Sequence, residues 1–352
     1  MMDYLKIGAA IAVLVVLGII LGTTERPPMG SIQHGYRGTA MDYLYNPRDM
    51  AVKVADNKVP TSLPYMGNVG PKASTVYKNV KVLGDLSVGE FTRLMASMTT
   101  WVEPTAGCAG CHNVANMADD SSYQKVVARR MIQMVRHINA DWTAHVQQTG
   151  VTCYTCHRGQ PVPANIWFNN PGPTQAGGFA EIPAGKNHPT PLIVAGGSSL
   201  PLDAFTPFLE QSNEIRISST TALPSGDRAS IKQTDWTYSL MMHFSQALGV
   251  NCTYCHNTRS FSNWEQSSPQ RATAWYGIRM VRDLNNAYLD PLHDTFPPTR
   301  WGAALSDSPK VNCATCHNGV YKPLFGVSMA KDFPELKATP VAQSQPQKQA
   351  QQ

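Results

Sequence analysis

At 352 residues the chain has room for two or three ordinary domains, and its net charge of +5 comes from basic residues that are scattered rather than massed. That spread excludes a nucleic-acid reader, which carries its charge in stripes or clusters. Charged residues make up 15%, against about 25% in a typical soluble domain, and 26 glycines with 26 prolines consign long stretches to loops.

The first predicted element is an apolar helix. Lys6 precedes the run Ile7 to Leu21, and Tyr4 to Thr24 counts 21 residues, about the length that crosses a hydrocarbon core. A secretory signal peptide has a similar basic start and apolar run, but no A-x-A cleavage site follows, and there is no cysteine for a lipid anchor. Residues 1–24 are therefore expected to be a retained signal-anchor transmembrane helix with a cytoplasmic N-terminus. A cleaved signal peptide is the alternative, since the flanking charges are too few to decide it.

Residues 25–83, rich in Pro, Gly and Asn, read as an extended N-terminal segment of loop and turns. Residues 84–160 and 233–325 each hold two copies of one pentapeptide, Cys-x-x-Cys-His. Between them, 161–232 is a Pro/Gly/Ser-rich connection with segments such as Asn170-Pro171-Gly172-Pro173 and Ala195-Gly196-Gly197. Residues 326–352 form a C-terminal tail, expected to be disordered from about 340, where Gln, Pro, Ala and Ser leave nothing to bury.

The pentapeptides account for all eight cysteines: Cys108, Cys111, His112; Cys153, Cys156, His157; Cys252, Cys255, His256; and Cys313, Cys316, His317. Two thiols at this spacing can add to the two vinyl groups of one porphyrin, and the next residue places an imidazole under the iron. A thioredoxin-type redox pair or half a zinc site explains a single copy, but neither needs a histidine after the second cysteine four times over. Four covalent c-type haems are therefore expected, with no thiol left for a disulfide. Haem attachment of this kind takes place outside the cytoplasmic membrane, which puts the bulk of the chain in the periplasm.

The two halves read as a repeat. Phe91-Thr92-Arg93-Leu94-Met95 before the first motif matches Trp236-Thr237-Tyr238-Ser239-Leu240-Met241 before the third. Met134-Val135-Arg136-His137-Ile138-Asn139 before the second matches Met280-Val281-Arg282-Asp283-Leu284-Asn285 before the fourth. Val126, Val127, Met131, Met134 and Ile138 fall on one helical stripe. The predicted fold is mainly α, a loop-rich multihaem cytochrome. It has two pseudo-repeated haem-pair units of helix, turn and Cys-x-x-Cys-His, plus the N-terminal transmembrane helix.

An electron-carrying haem has both axial positions filled, and methionine thioether suits the second. A methionine on a helix stripe is ordinarily core filler, but the matched Leu94-Met95 and Leu240-Met241 favour Met95 and Met241. Met131 serves the second motif in competition with Met134, and Met241 competes with Met242 and His243. In the fourth unit the position matching Met131 is Gly277, which cannot ligate, so Met280 or a residue from elsewhere takes over. His145, between motifs one and two, is a candidate; His137, His243, His188, His293 and His34 are weaker ones. Arg129, Arg130, Arg136, Arg158, Arg279 and Arg282 are available to pair with propionates.

Taken together, the chain closely resembles the tetrahaem cytochrome subunit of purple-bacterial photosynthetic reaction centres over roughly residues 30 to 336. The resemblance is carried by Gly70-Pro71-Lys72-Ala73-Ser74, by Leu86 to Arg93, by Gly150 to Gly159, by Asn213-Glu214-Ile215-Arg216-Ile217 and by Ala274 to Asp283. It implies His/Met ligation through Met95, Met131 and Met241, and a fourth haem held between His317 and His145. It implies that Arg271 lies near the third haem on the side of the bacteriochlorophyll special pair, with the third motif closest to that pair, followed by the fourth, second and first. It implies an electron-transfer subunit rather than an enzyme, seated on the L and M subunits at the periplasmic face of the photosynthetic membrane and fed by a soluble cytochrome c or high-potential iron–sulfur protein. Many members begin with an acylated cysteine, which is missing here. A membrane-anchored multihaem quinol dehydrogenase is the alternative, although such proteins are generally shorter and rely on His ligands.

Overall fold

The computed structural model describes residues 2–24, 30–33, 42–170, 200–215 and 231–337. The expectations placed on His34, His188, Arg216, most of the 161–232 connection and the tail from 340 lie outside the described residues. Helix α1 (Met2–Thr23) realises the predicted apolar segment. Its 22 residues extend about 33 Å at 1.5 Å each, enough for a hydrocarbon core of about 30 Å. Among the described residues nothing covers Lys6–Thr23, and by length and composition α1 can cross a membrane.

The 25–83 segment holds more regular structure than the loop expected from its composition. Strands β1 (Gly30–Gln33) and β2 (Asp42–Tyr45) pair antiparallel, with Gly30 opposite Tyr45 and Gln33 opposite Asp42. Helix α2 (Pro47–Asp56) follows, started by Asn46, whose side chain accepts from the Arg48 N–H, and by Pro47 in the first turn. No residue of α2 is buried. A helix without an apolar face leaves no periodic signal, and its Asn-Pro start reads equally well as a turn. The single turn α3 (Ala73–Val76) is the last helical piece of this segment.

The remaining α-helices among the described residues are α4 (Val88–Val102), α5 (Tyr123–Asp141), the single turn α6 (Thr143–Val146), α7 (Cys153–His157), α8 (Ile231–Leu248), α9 (Pro269–Leu284) and α10 (Cys313–His317). The fold is mainly helical and loop-rich, as expected. Ser87 caps α4 by accepting from the Glu90 N–H, and Pro269 opens α9, where its missing N–H costs nothing. Leu94 and Trp101 of α4, Ile132, Val135 and Ile138 of α5, Leu240 of α8, and Ile278, Val281 and Leu284 of α9 form one continuous core. Phe205, Phe208, Leu209, Phe333 and Leu336 join it from outside those helices.

Buried polar side chains fasten these outlying segments. Asn139 Nδ2 donates to the carbonyls of Val151 (2.9 Å) and Leu336 (2.8 Å), while its Oδ1 accepts from the Val151 N–H. Asn285 does the same to Val311 and Leu209. Arg136 Nε donates to the Glu335 carbonyl, and Arg282 Nε to the Phe208 carbonyl. Arg93, also buried, bonds Glu90 at 3.0 Å, lies 3.5 Å from Glu335, donates to the carbonyls of Leu63 and Asp332, and stacks on Phe333. The fully desolvated guanidinium thus has a partner for each of its nitrogens, the condition under which a buried charge is tolerated.

Candidate cofactor-binding site

Each pentapeptide is one helical turn, because the turn is what brings its histidine back over the first cysteine. In the first and third motifs the turn is 3-10 (Gly107–Gly110 and Cys252–Tyr254), with the His112 and His256 N–H groups donating to the Cys108 and Cys252 carbonyls at 2.9 Å. In α7 and α10 it is α-helical and capped at both ends. Thr152 and Asn312 form reciprocal capping boxes with Thr155 and Thr315, and Arg158 and Asn318 close the turns in the left-handed conformation. The Gly159 and Gly319 N–H groups then dock on the Trp101 and Ala247 carbonyls, both at 2.8 Å, seating α7 on α4 and α10 on α8.

All eight cysteines and the four histidines that follow them line one cavity of about 2360 Å³. That is more than twice the upper end of an ordinary small-molecule pocket, roughly 1,000 Å³. Three of the histidines are oriented by the same device. The Nδ1–H of His157 donates to the Gln160 carbonyl (2.9 Å), that of His256 to Phe261 (2.9 Å) and that of His317 to Val320 (3.0 Å). This fixes the tautomer and leaves the Nε2 lone pair free for a metal. Burial pushes all four imidazoles below their ordinary pKa, His317 to about 4, so they are neutral at pH 7 as ligands must be. Burial pushes the Cys153 and Cys313 thiols up to about 12 and Cys255 to about 11.

Met95, Met131 and Met241 reach the same cavity from α4, α5 and α8. Met134 and Met280 line it too, whereas Met242 and His243 do not. His145 lies in α6, its ring centroid 6.1 Å from that of His317, and its Nδ1–H donates to the Thr273 carbonyl (2.9 Å), again freeing Nε2. Burial holds it below its ordinary pKa. Gly277 explains how this ring gets in: a Cβ at 277 would stand 2.6 Å from His145 Cε1 and 2.8 Å from Nδ1. The residue that cannot ligate is the one that admits the ligand. Sequence reasoning marked Gly277 as a gap in the repeat. It missed Thr273, whose place one turn earlier on the same face of α9 was the available signal.

His137 leaves the set of possible ligands, since both its ring nitrogens are taken by the carboxylates of Asp141 and Asp283, each at 2.6 Å. His293 is engaged with Asp294 and the Ser306 carbonyl and stacks on Trp301. Of the arginines suggested for propionates, Arg129, Arg279 and Arg282 line the cavity. Arg158 spends its guanidinium on Asn57 and the Asp56 and Cys316 carbonyls, and Arg130 donates to the Ala287 carbonyl. Arg271 lies at the third motif, donating to the Asn263 carbonyl (2.9 Å) and Ser267 Oγ (2.7 Å), with its guanidinium 4.1 Å from the Trp264 ring.

One feature departs from the expectation that no thiol is left for a disulfide. The Cα atoms of Cys156 and Cys316 stand 4.4 Å apart where α7 meets α10, and their sulfurs are joined. A sulfur in a disulfide cannot add to a vinyl group, so attachment of haem at these two positions requires both as thiols. With that condition the donor set fits c-type haem: paired thiols, neutral imidazoles and soft thioethers lining one cavity.

The comparisons agree with this chemistry. A family profile described as photosynthetic reaction centre cytochrome C subunit matches residues 25–337. The chain is 52% identical over 335 residues, 95% of its length and 90% of the relative's, to the photosynthetic reaction center cytochrome c subunit of Rubrivivax gelatinosus. It is 52% identical to the protein of that name from Thermochromatium tepidum, over 94% of this chain and 81% of the relative. With the one from Roseobacter denitrificans it shares 41% identity over 88% and 86%. This chain belongs to the family of photosynthetic reaction centre cytochrome c subunits.

Proposed function

We propose that the chain re-reduces the photo-oxidised bacteriochlorophyll special pair of a reaction centre, passing on electrons received from a soluble carrier. As a member of this family it is an electron-transfer component of the reaction centre, associated with the photosynthetic membrane and carrying c-type haem. The quinol-dehydrogenase alternative has no such support. The observation that carries the finer reading is the sharing of one cavity by four Cys-x-x-Cys-His motifs and four further donors, Met95, Met131, Met241 and His145.

Each bound haem supplies a one-electron iron couple. In our reading the chain holds four, through Cys108 and Cys111, Cys153 and Cys156, Cys252 and Cys255, and Cys313 and Cys316, with His112, His157, His256 and His317 as proximal ligands. Met95, Met131 and Met241 set higher potentials as thioether ligands, while His145 opposite His317 sets a lower one. With a second donor available for each motif histidine, a bound haem would have no position left for a substrate, so in this reading the chain would act as a carrier and not an enzyme. Arg271 holds a fixed positive charge beside the third motif.

The reading also places the chain on the L and M subunits at the periplasmic side, held by α1, with a soluble cytochrome c or high-potential iron–sulfur protein as donor. It treats the two halves as pseudo-repeats. The paired use of Asn139 and Asn285, Arg136 and Arg282, Gly159 and Gly319, and the two capping boxes supports this.

The test is flash spectroscopy on native membranes, following the haem α-band after one saturating flash. Prompt haem oxidation that tracks re-reduction of the special pair, and survives removal of soluble proteins, is expected. Absence of a flash response, with haems reduced by added quinol instead, overturns the reading.

A further inference from the structure

His137 is buried to 14% side-chain exposure outside the cavity, and both of its nitrogens face carboxylate oxygens at 2.6 Å: Nδ1 faces Asp141, and Nε2 faces Asp283. A neutral imidazole has one N–H and can serve only one of them, so the two carboxylate contacts together call for an imidazolium, with the Trp142 Nε1–H, 3.2 Å from Nε2, directed to Asp283 at 2.9 Å instead. Its ring stacks on Tyr288 at 5.4 Å, and the Arg130 guanidinium lies 4.6 Å from that same tyrosine.

The contacts of Trp142 say what the clamp holds. Trp142 is the joint between α5 and α6, and its Nε1–H donates to the very Asp283 oxygen that His137 engages (2.9 Å). A four-residue helix has no stability of its own. Helix α6 is gripped by α9 at two places, through Trp142 on Asp283 and through His145 on the Thr273 carbonyl. These lie about 15 Å apart along α9 at 1.5 Å per residue. The first grip depends on where the Asp283 carboxylate sits, and His137 sets that.

We propose that His137 is a positioning residue for His145: as an imidazolium between Asp141 and Asp283 it locks α6 against α9, and loss of its proton loosens the lock and changes how His145 sits opposite His317. The proposal rests on the reading of His145 as the ligand paired with His317. The groups facing His137 are Asp141 on its own helix, Asp283 on α9, and Tyr288 beyond the end of α9 with Arg130 behind it. Burial opposes charging of His137, but the hydrogen bonds and charges of Asp283 and then Asp141 outweigh it and raise its pKa. Burial keeps the Tyr288 phenol above its ordinary value and therefore neutral. The proton is thus held to a higher pH than on a free imidazole and is lost as the pH rises further.

The experiment is a component-resolved redox titration of the haem-loaded protein from mildly acidic to alkaline pH, with low-spin EPR of the bis-imidazole signal. In the wild type, the midpoint of the His/His component alone changes in a single step as pH rises, and its EPR line broadens. His137→Gln is expected to abolish the step and give the broadened line at every pH. His137→Lys, which keeps a charge between the carboxylates without titrating in this range, is expected to keep the sharp line throughout. Should His137→Gln not accumulate, Asp141→Asn, at a half-exposed position, is expected to move the step to lower pH. A step that persists in His137→Gln, stays put in Asp141→Asn, or moves all four components equally overturns the proposal. His145→Ala separates the two readings: if the bis-imidazole signal survives it, the ligand assignment has failed, whatever the His137 variants do.

Discussion

Gly277→Ala puts the His145 assignment at risk through the sign of its effect. On a free face of α9 the change should stabilise, since glycine within a helix is about 1 kcal/mol worse than alanine. At this position the new Cβ would lie 2.6 Å from Cε1, 2.8 Å from Nδ1 and 3.3 Å from Nε2 of His145, where carbon contacts prefer about 3.5–4.0 Å. Relief requires the ring to retreat by about 1 Å, an overpacking cost of roughly 1–3 kcal/mol. Retreat also breaks the bond to the Thr273 carbonyl, worth about 1 kcal/mol net, which cancels the propensity gain. The balance is a loss of about 1–3 kcal/mol confined to the seating of His145, a roughly 5- to 150-fold fall in the population correctly placed opposite His317. Redox titration should show the His/His component altered and the other three unchanged, and thermal unfolding should show no gain. A variant stabilised by about 1 kcal/mol with all four components intact refutes the reasoning.

Met131→His should lower the potential of one haem, because a second imidazole replaces a thioether; an unchanged redox titration removes Met131 as a ligand and leaves Met134. Arg93→Met strands the buried carboxylates of Glu90 and Glu335 and should cost about 3–5 kcal/mol in denaturant unfolding. Burial already holds Glu335 above the usual carboxylate range, so the loss should be smaller at about pH 5 than at about pH 8. The Arg129, Asn79, Lys125 and Lys81 side chains around Asp120 hold its carboxyl well below the usual range. The stability this gives is present above about pH 4 and lost on further acidification. Asp120→Asn should therefore cost at most about 1 kcal/mol at neutral pH, and less in high salt. Intact-mass analysis, corrected for four haems, should give a chain that includes residues 1–24.

The cysteine motifs were legible because their chemistry is local: attachment and proximal ligation are written within five residues. The helices that bury a stripe, such as α5, were legible by period, while α2, which buries none, was not. The choice between Met131 and Met134 was not settled by spacing, and both reach the cavity. The resemblance chose Met131. The gap at Gly277 was visible as a broken repeat, but its use is a contact with His145 from another helix, which no periodicity encodes. The approach of Cys156 to Cys316 spans 160 residues of sequence, and the pairing of Arg93 with Glu335 is comparably remote. Such pairings depend on topology, which single-sequence pattern does not carry.

The buried fastenings of α5 bear on the order in which the molecule can be completed. Arg136 waits for the Glu335 carbonyl, 199 residues later, and Asn139 for that of Leu336, 197 residues later. Closing loops of that length costs only about 2–3 kcal/mol more than closing one of ten residues, but pairings so distant in sequence form slowly. A chain made from its N-terminus therefore cannot complete these fastenings of α5 until residues 335 and 336 arrive. Until then α5 lacks these bonds, and the late-arriving segment works as a latch that fastens it last.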